Sequence, residues 1–290
     1  MRRYSHSKIN TYTTCPQRFK FTYIDDIKSE IEVLGIETFM GDVVHHCMER
    51  LYSPFVVSDK PVSVASQSFM IEEPPKPIET LEEWLKIFDD KWNADQAAYK
   101  KMNATIKVGK NASFKKFYDR GQKCLRSYWN KYAPFNDEQT LGVEMEIEID
   151  LNNDGKYILV GLLDRLSRTG IATYNIIDYK TYGRLPAIKK IYEMSKQLEI
   201  YEFAIRNKYK DARRINLVWY ILSHDEEIRI TKNLDDPIDL KYLTNLKNDV
   251  IKQIDEMKDA EEKMNFPTIV GKHCDWCKYK PICPAWINKN

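Results

Sequence analysis

The sequence predicts an α/β fold, a mixed central sheet flanked by helices, and three patterns carry that prediction. Residues 142–150 (GVEMEIEID) alternate between apolar and acidic side chains, the period-two signature of a half-buried strand. Residues 173–180 and 215–222 (INLVWYIL) are short apolar runs suited to buried strands. Segments of helical spacing surround them, above all 187–208 and 238–264. Strands bracketed by helices, with hairpin and crossover connections, indicate a mixed sheet.

Taken in order, Ser5-His6-Ser7-Lys8 opens a short capped helix, and Cys15-Pro16 leads into an aromatic run of Phe19, Phe21 and Tyr23. Residues 38–52 form a helix carrying Gly41, His45 and Glu49 at successive i, i+4 positions, so all three share one face. Pro54, Pro61, Pro74, Pro75 and Pro77 mark a loop over about 53–79. Residues 80–132 have helical spacing, with Trp84, Leu85 and Phe88, then Phe114, Phe117, Cys124, Leu125 and Tyr128, on core-facing stripes. Residues 53–140 are thus a mainly helical insertion. Its Lys100, Lys101, Lys107, Lys110, Lys115 and Lys116, with Phe114, Phe117 and Tyr118, suit either a basic arch that tracks phosphates and stacks bases or an ordinary helix with a solvated face.

In the strand at 142–150, Val143, Met145, Ile147 and Ile149 share the buried face and the glutamates the solvated one. Asn152-Asn153-Asp154-Gly155 then turns the chain into a second strand, 156–167, completing a β-hairpin. Asp164 stands on that strand.

The 43% hydrophobic and 30% charged fractions describe a soluble globular protein. No apolar run approaches the ~20 residues of a membrane span. The basic start, MRRYSHSKIN, lacks the apolar stretch of a secretory signal. The expected compartment is therefore the cytoplasm, of a bacterium or of a virus-infected host; separately, abundant Lys, Ile, Asn and Tyr suit an AT-rich genome such as a viral one. There the six cysteines would not form structural disulfides. With a net charge of only +2, any nucleic-acid surface has to be a local groove.

The chemistry concentrates at strand ends. Asp178 and Lys180 are two residues apart in a strand and so point to one face, with Tyr179 facing away. With Asp164 they supply two carboxylates and an ammonium, a set that can hold a divalent metal beside a water and hydrolyse a phosphodiester. His45 adds a possible ligand, and Gln197-x-x-x-Tyr201 places an amide and a phenol on one helical face. Glu49 either orients a ligand or pairs with a cation. His46 and Cys47 face elsewhere on their helix, and His6 and His224 have no partner spacing.

Cys274-x-x-Cys277-x₅-Cys283-Pro284 puts three cysteines within ten residues. Zinc is one reading of such a half-site, but no second C-x₂-C or paired histidines follow. A fourth thiolate would come from far away, and Cys15, which also precedes a proline, is the candidate. His273 is a fallback ligand, and Cys47 and Cys124 are left as buried thiols.

Four motifs occur in order: GxxxHxxxE at Gly41, His45 and Glu49; GxxDR at Gly161, Asp164 and Arg165; DYKT from Asp178; and QxxxY at Gln197 and Tyr201. Together they resemble the PD-(D/E)xK nuclease superfamily, specifically its RecB-type branch, over about residues 4–22, 38–50 and 142–205 plus the tail. The resemblance implies a restriction-endonuclease-like core within a single nuclease domain, 1–290. It implies a metal-dependent deoxyribonuclease, an exonuclease acting at single-stranded or duplex DNA ends in replication, recombination or repair. By the same resemblance, His45, Asp164, Asp178 and the Tyr179 carbonyl bind Mg²⁺ or Mn²⁺. Lys180 positions or helps deprotonate the attacking water, and Gln197 and Tyr201 order the site or the DNA. The cysteine set resembles the iron–sulfur staple of AddB-type and CRISPR-associated RecB-like nucleases. That implies a [4Fe–4S] cluster on Cys15, Cys274, Cys277 and Cys283, with residues 265–290 closing on Cys15. Implied partners are DNA and a helicase, recombinase or single-strand-binding protein, with no membrane. The alternatives are a DNA-end-binding subunit with secondary nuclease activity and a structure-specific endonuclease.

Overall fold

A computed structural model describes residues 3–27, 33–57, 75–102, 104–109 and 112–287. The expectations for Pro61, Pro74 and Lys110 lie outside these residues. In chain order the elements are β1 (Arg3–Ser5), α1 (His6–Thr14), α2 (Pro16–Phe19) running into a wider helical turn (Lys20–Ile24), β2 (Val33–Gly35) and α3 (Ile36–Tyr52). Then come α4 (Leu81–Lys101), β3 (Thr105–Lys107), α5 (Phe114–Tyr132), β4 (Gln139–Asp150), β5 (Ile158–Gly170) and β6 (Thr173–Lys180). The chain continues through α6 (Ile188–Lys208), β7 (Arg214–Ile221), β8 (Glu226–Asn233), α7 (Pro237–Glu262), two short 3₁₀ turns and α8 (Pro284–Ile287). The mixed sheet flanked by helices is the architecture the patterns predicted.

These elements form two compact units. The first comprises Met1–Glu30, Ile147–Gly161 and Asp236–Asn290; the second comprises Ile31–Glu146 and Leu162–Asp235. In the first unit β1 runs parallel to the start of β5, with Arg3 opposite Ile158 and Ser5 opposite Val160. The Ser5 hydroxyl caps α1 by accepting from the Lys8 N–H at 3.1 Å, which satisfies a donor that a helix start leaves free. Helix α7 buries Leu246, Val250, Ile254 and Met257 along one stripe, and the Tyr12 hydroxyl donates to the Glu256 carbonyl at 3.1 Å. Phe19 stacks on Phe266, and the Gln17 N–H donates to the Pro267 carbonyl at 3.2 Å. The start and the tail of the chain therefore share one small core.

In the second unit β5 and β6 pair antiparallel, β6 and β7 parallel along their full lengths, and β7 and β8 antiparallel. Helix α3 buries Val43, Val44, Cys47, Met48 and Leu51 among Trp84, Phe88, Phe117 and Leu125 of α4 and α5, with Ile177 and Val218 from the sheet in the same cluster. Burial on this scale, ~1.5–3 kcal/mol per large apolar side chain, fixes α3 against β6.

Two details differ from the pattern reading. Residues 80–132 are two helices, because the chain between them extends into β3 and pairs in parallel with β2. The edge strand β8 (EEIRITKN) is polar and half solvated, so it lacks the apolar run that marks a strand. In the basic stretch, three residues fit the ordinary-helix reading: Phe117 is buried, the Tyr118 hydroxyl donates to Asp89 at 2.6 Å, and Lys115 pairs with Asp119 at 2.7 Å. No helix of the described residues is long and apolar enough to cross a membrane.

Candidate active site

Every residue of the predicted hydrolytic set lies in the second unit. Asp178 and Lys180 occupy the end of β6, Asp164 stands on the neighbouring β5, and α3 brings His45 over both. Gly41 lies against Thr181, where an added Cβ would stand 3.4 Å from the hydroxyl, an ordinary contact. One face of α3 thus rests on the end of β6, with His45 one turn further along.

The His45 Nε2 lies 2.7 Å from the Tyr179 carbonyl oxygen, and its Nδ1 is 3.4 Å from Asp164 Oδ2. The same Asp164 oxygen accepts the Tyr179 backbone N–H at 2.8 Å. The Tyr179 side chain points the other way into the core, as strand alternation requires. Lys180 Nζ donates to Asp178 Oδ1 at 2.7 Å and lies 2.6 Å from Oδ2, although Oδ2 is buried and receives no directional hydrogen bond.

Burial pushes the Asp178 carboxyl up to about 6, with the charge of Lys180 opposing and that of Asp164 adding to the rise. Burial works to lower the Lys180 pKa, but the charge and hydrogen bond of Asp178 outweigh it and the net shift is upward. Lys180 is therefore an ammonium at neutral pH. Arg165, adjacent to Asp164, points away from the cleft. Its guanidinium packs 3.8 Å from the centroid of the Tyr52 ring and donates to Glu138 Oε2 at 3.1 Å. Glu138 in turn accepts from Asn175 of β6 at 2.8 Å, so one partly buried carboxylate ties β5 to β6 behind the site.

Glu144 joins the site without having been foreseen. Ligand atoms of His45, Glu144 and Asp164 all lie within 4.8 Å of one another, the spacing of a metal-binding group. Burial raises the Glu144 carboxyl to about 7, with the nearby Asp164 charge adding to the rise and His45 opposing it. The alternation of 142–150 assigns Glu144 to solvent alongside Glu146 and Glu148, and those two are indeed exposed. Glu144 departs because its φ is +41°, in the left-handed region, which breaks the alternation locally. Gly142, whose Cβ would meet the Met145 sulfur at 3.0 Å, was the available signal, since glycine inside a strand often marks an irregularity.

His45, Glu144, Asp164, Tyr179 and Lys180 line one open cleft together with Asp42, His46, Glu49 and Lys91. Glu49 faces His46 at 3.6 Å rather than His45. Gln197 and Tyr201 do not line the cleft. The Gln197 amide donates to the Tyr201 hydroxyl at 3.0 Å. Burial raises the Tyr201 pKa, and the charges of Asp178 and Asp164 add to it, which places the phenol within their field.

The four cysteines expected to hold a cluster share a pocket without forming a cluster site. Cys15, Cys274, Cys277 and Cys283 line a single pocket in the first unit. Cys15 and Cys283 each occupy an extended position ahead of a proline-initiated helix. No three of the described sulfurs lie within 4.8 Å of one another. The four sulfurs are therefore not arranged as a metal or cluster site in this structure. His273 hydrogen-bonds the Ile269 carbonyl at 2.8 Å. Cys47 and Cys124 are buried in the core of the second unit, where burial pushes the Cys124 thiol up to about 12 and the Cys47 thiol higher still.

A family model described as PD-(D/E)XK nuclease superfamily matches residues 3–284. No curated protein sequence matches. Among solved structures, a "Putative exonuclease" from Eubacterium rectale aligns over 95% of this chain and 86% of its own, at 10% identity and a TM-score of 0.49. The protein SSO0001 aligns over 97% and 93%, at 16% identity and a TM-score of 0.33. With nearly its whole length matched, and with a His–Glu–Asp group beside an Asp–Lys pair at the end of adjacent strands, the chain belongs to the PD-(D/E)XK nuclease superfamily.

Proposed function

We propose that this nuclease is a metal-dependent DNA exonuclease of the RecB-type branch. The convergence of His45, Glu144 and Asp164 within 4.8 Å, next to the Asp178–Lys180 pair, carries the metal-dependent part of this reading. The ordered motifs from Gly41 to Tyr201 support the branch and, with it, action at DNA ends.

The donor set fits a hard divalent cation. Carboxylate and carbonyl oxygens suit Mg²⁺, and an imidazole among them makes Mn²⁺ a good competitor. His45, Glu144 and Asp164 would hold the ion, with the Tyr179 carbonyl beside them. Asp178 Oδ2, buried without a directional donor, keeps a lone pair for the same purpose. When bound, the ion polarises the phosphate and eases ionisation of the attacking water. Lys180 stays protonated through Asp178 and offsets charge that builds on the phosphate in the transition state. The Tyr179 N–H orients Asp164, while Gln197 and Tyr201 order the surroundings of the two carboxylates.

The cysteine pocket is the proposed seat of a [4Fe–4S] cluster held by Cys15, Cys274, Cys277 and Cys283. Its support is the motif resemblance, together with the fact that the four cysteines line one pocket. Held there, the cluster would fasten residues 265–290 to the start of the chain. Protein purified without oxygen is then brown with about four irons per chain. Stoichiometric zinc without iron would overturn the cluster.

The deciding experiment for activity uses single- and double-stranded DNA labelled at either end, together with circular DNA, incubated with Mg²⁺ or Mn²⁺. Stepwise ladders from one end, with intact circles, are the expected products. Cleaved circles would make the protein an endonuclease, and no cleavage with either metal would sink the reading.

A further inference from the structure

Two cations of the cleft are already engaged: Lys180 is held by Asp178, and Lys91 lies 2.8 Å from Asp95. Arg120 is different. It sits half-buried on α5, its guanidinium 4.8 Å from the centroid of the Phe117 ring, and among the described residues it has no hydrogen-bond or ion-pair partner. Its position is fixed by the next residue. A Cβ on Gly121 would lie 2.5 Å from the Phe88 ring, so α4 and α5 meet too closely there for any side chain, and α5 has little room to roll.

The guanidinium faces Gly183. A Cβ at Gly183 would stand 3.4 Å from Arg120 Nη1 and 3.9 Å from Cζ. Gly183 lines the same cleft as Lys180 and Thr181. Its φ is not in the left-handed region, so no turn requires glycine at this point. Arg120 is not itself among the residues lining the cleft, but its guanidinium lies against Gly183, which is.

We propose that Arg120 is a phosphate contact of the substrate strand, gripping a backbone phosphate one or two nucleotides from the scissile bond through the opening at Gly183. This rests on the nuclease reading and adds a binding residue to it. Gly183 is three residues beyond Lys180, so the two are at most ~10 Å apart along the chain. The cleft is otherwise acidic, with Glu37, Asp42, Glu49, Glu144 and Asp164 on its walls, and a polyanion enters such a site only past a flanking cation. Arginine suits the task because its planar fork of donors matches phosphate oxygens. The Phe117 ring behind it keeps the fork aimed and partly dehydrated.

The test is equilibrium binding of a fluorescent single-stranded oligodeoxynucleotide to the full chain, with Ca²⁺ replacing Mg²⁺, across a salt series. Arg120→Ala is expected to weaken binding about tenfold and to reduce the slope of log Kd against log salt by ~0.7, the signature of one lost phosphate contact on a single strand. Gly183→Val, which covers the guanidinium while keeping it, is expected to give the same loss, and the double variant no more than either alone. A single methylphosphonate linkage at the contacted position should weaken the parent and leave Arg120→Ala unaffected, and its position in the strand separates an internal phosphate from a terminal one. Unchanged affinity and slope in Arg120→Ala, or fully additive losses in the double variant, would overturn the proposal. A parent protein that binds DNA with these signatures yet cuts none would instead remove the nuclease reading and leave the Arg120 contact standing.

Discussion

The backbone N–H of Tyr179 donates to Asp164 Oδ2 across 2.8 Å, so the end of β6 itself orients the carboxylate carried by β5. The site is consequently rigid in the pairing of two strands rather than in the packing of a loop. Mutations that leave that pairing intact will therefore report chemistry, and those that disturb it will report folding.

Asp164→Ala removes a ligand from the half-buried His45–Glu144–Asp164 group and is expected to abolish both cleavage and Mn²⁺ binding by calorimetry. Lys180→Ala is expected to lower kcat by ~10²–10³ while Mn²⁺ still binds, since the lysine acts on developing charge. Equal loss of metal affinity in the two variants would contradict that division.

Glu144 sits at φ +41°, where a residue with a Cβ is strained by ~1 kcal/mol or more. Glu144→Gly relieves that strain, and the melting temperature should rise by a few degrees while metal affinity falls at least tenfold. Glu144→Gln keeps the strain and loses the charge, so affinity alone should fall. Thermal denaturation with and without Mn²⁺ separates the two contributions.

Glu138 is the carboxylate partner of the buried Arg165, and its removal leaves a guanidinium in the core unpaired. Glu138→Ala is expected to cost ~3–5 kcal/mol in urea unfolding, because breaking one side of a buried ion pair is far more damaging than replacing both. Arg165→Met combined with Glu138→Leu should recover much of that loss.

Cys15→Ser is expected to lose iron and visible absorption together and to lower the melting temperature. Cys124→Ser, in the core of the second unit, should leave the colour unchanged. Retained absorption in Cys15→Ser would remove Cys15 from the proposed ligand set.

The fold was legible because it rests on periodicity, and the candidate site because its residues stand in ordered motifs. Asp178 and Lys180 follow from strand alternation, and the place of His45 over them follows from the i, i+4 face that begins at Gly41. Glu144 was not legible, because a single left-handed residue reverses the alternation that assigned it to solvent. The nearness of Arg120 to Gly183 was hidden for another reason: it depends on the close packing of α5 on α4 at Gly121, which is a tertiary fact. The edge strand β8 escaped because an edge with one solvated side has little need of apolar residues.

The chain passes between its two units four times, after Glu30, Glu146, Gly161 and Asp235. During synthesis, the second unit has all its residues once Asp235 has been added. The first unit waits for the remaining 55 residues of Asp236–Asn290, which take ~3–11 s at ordinary translation rates. Cys15 is made before the second unit, but Cys274, Cys277 and Cys283 of the same pocket emerge only after it. The order of translation therefore has the nuclease cleft assembled before the cysteine pocket can close.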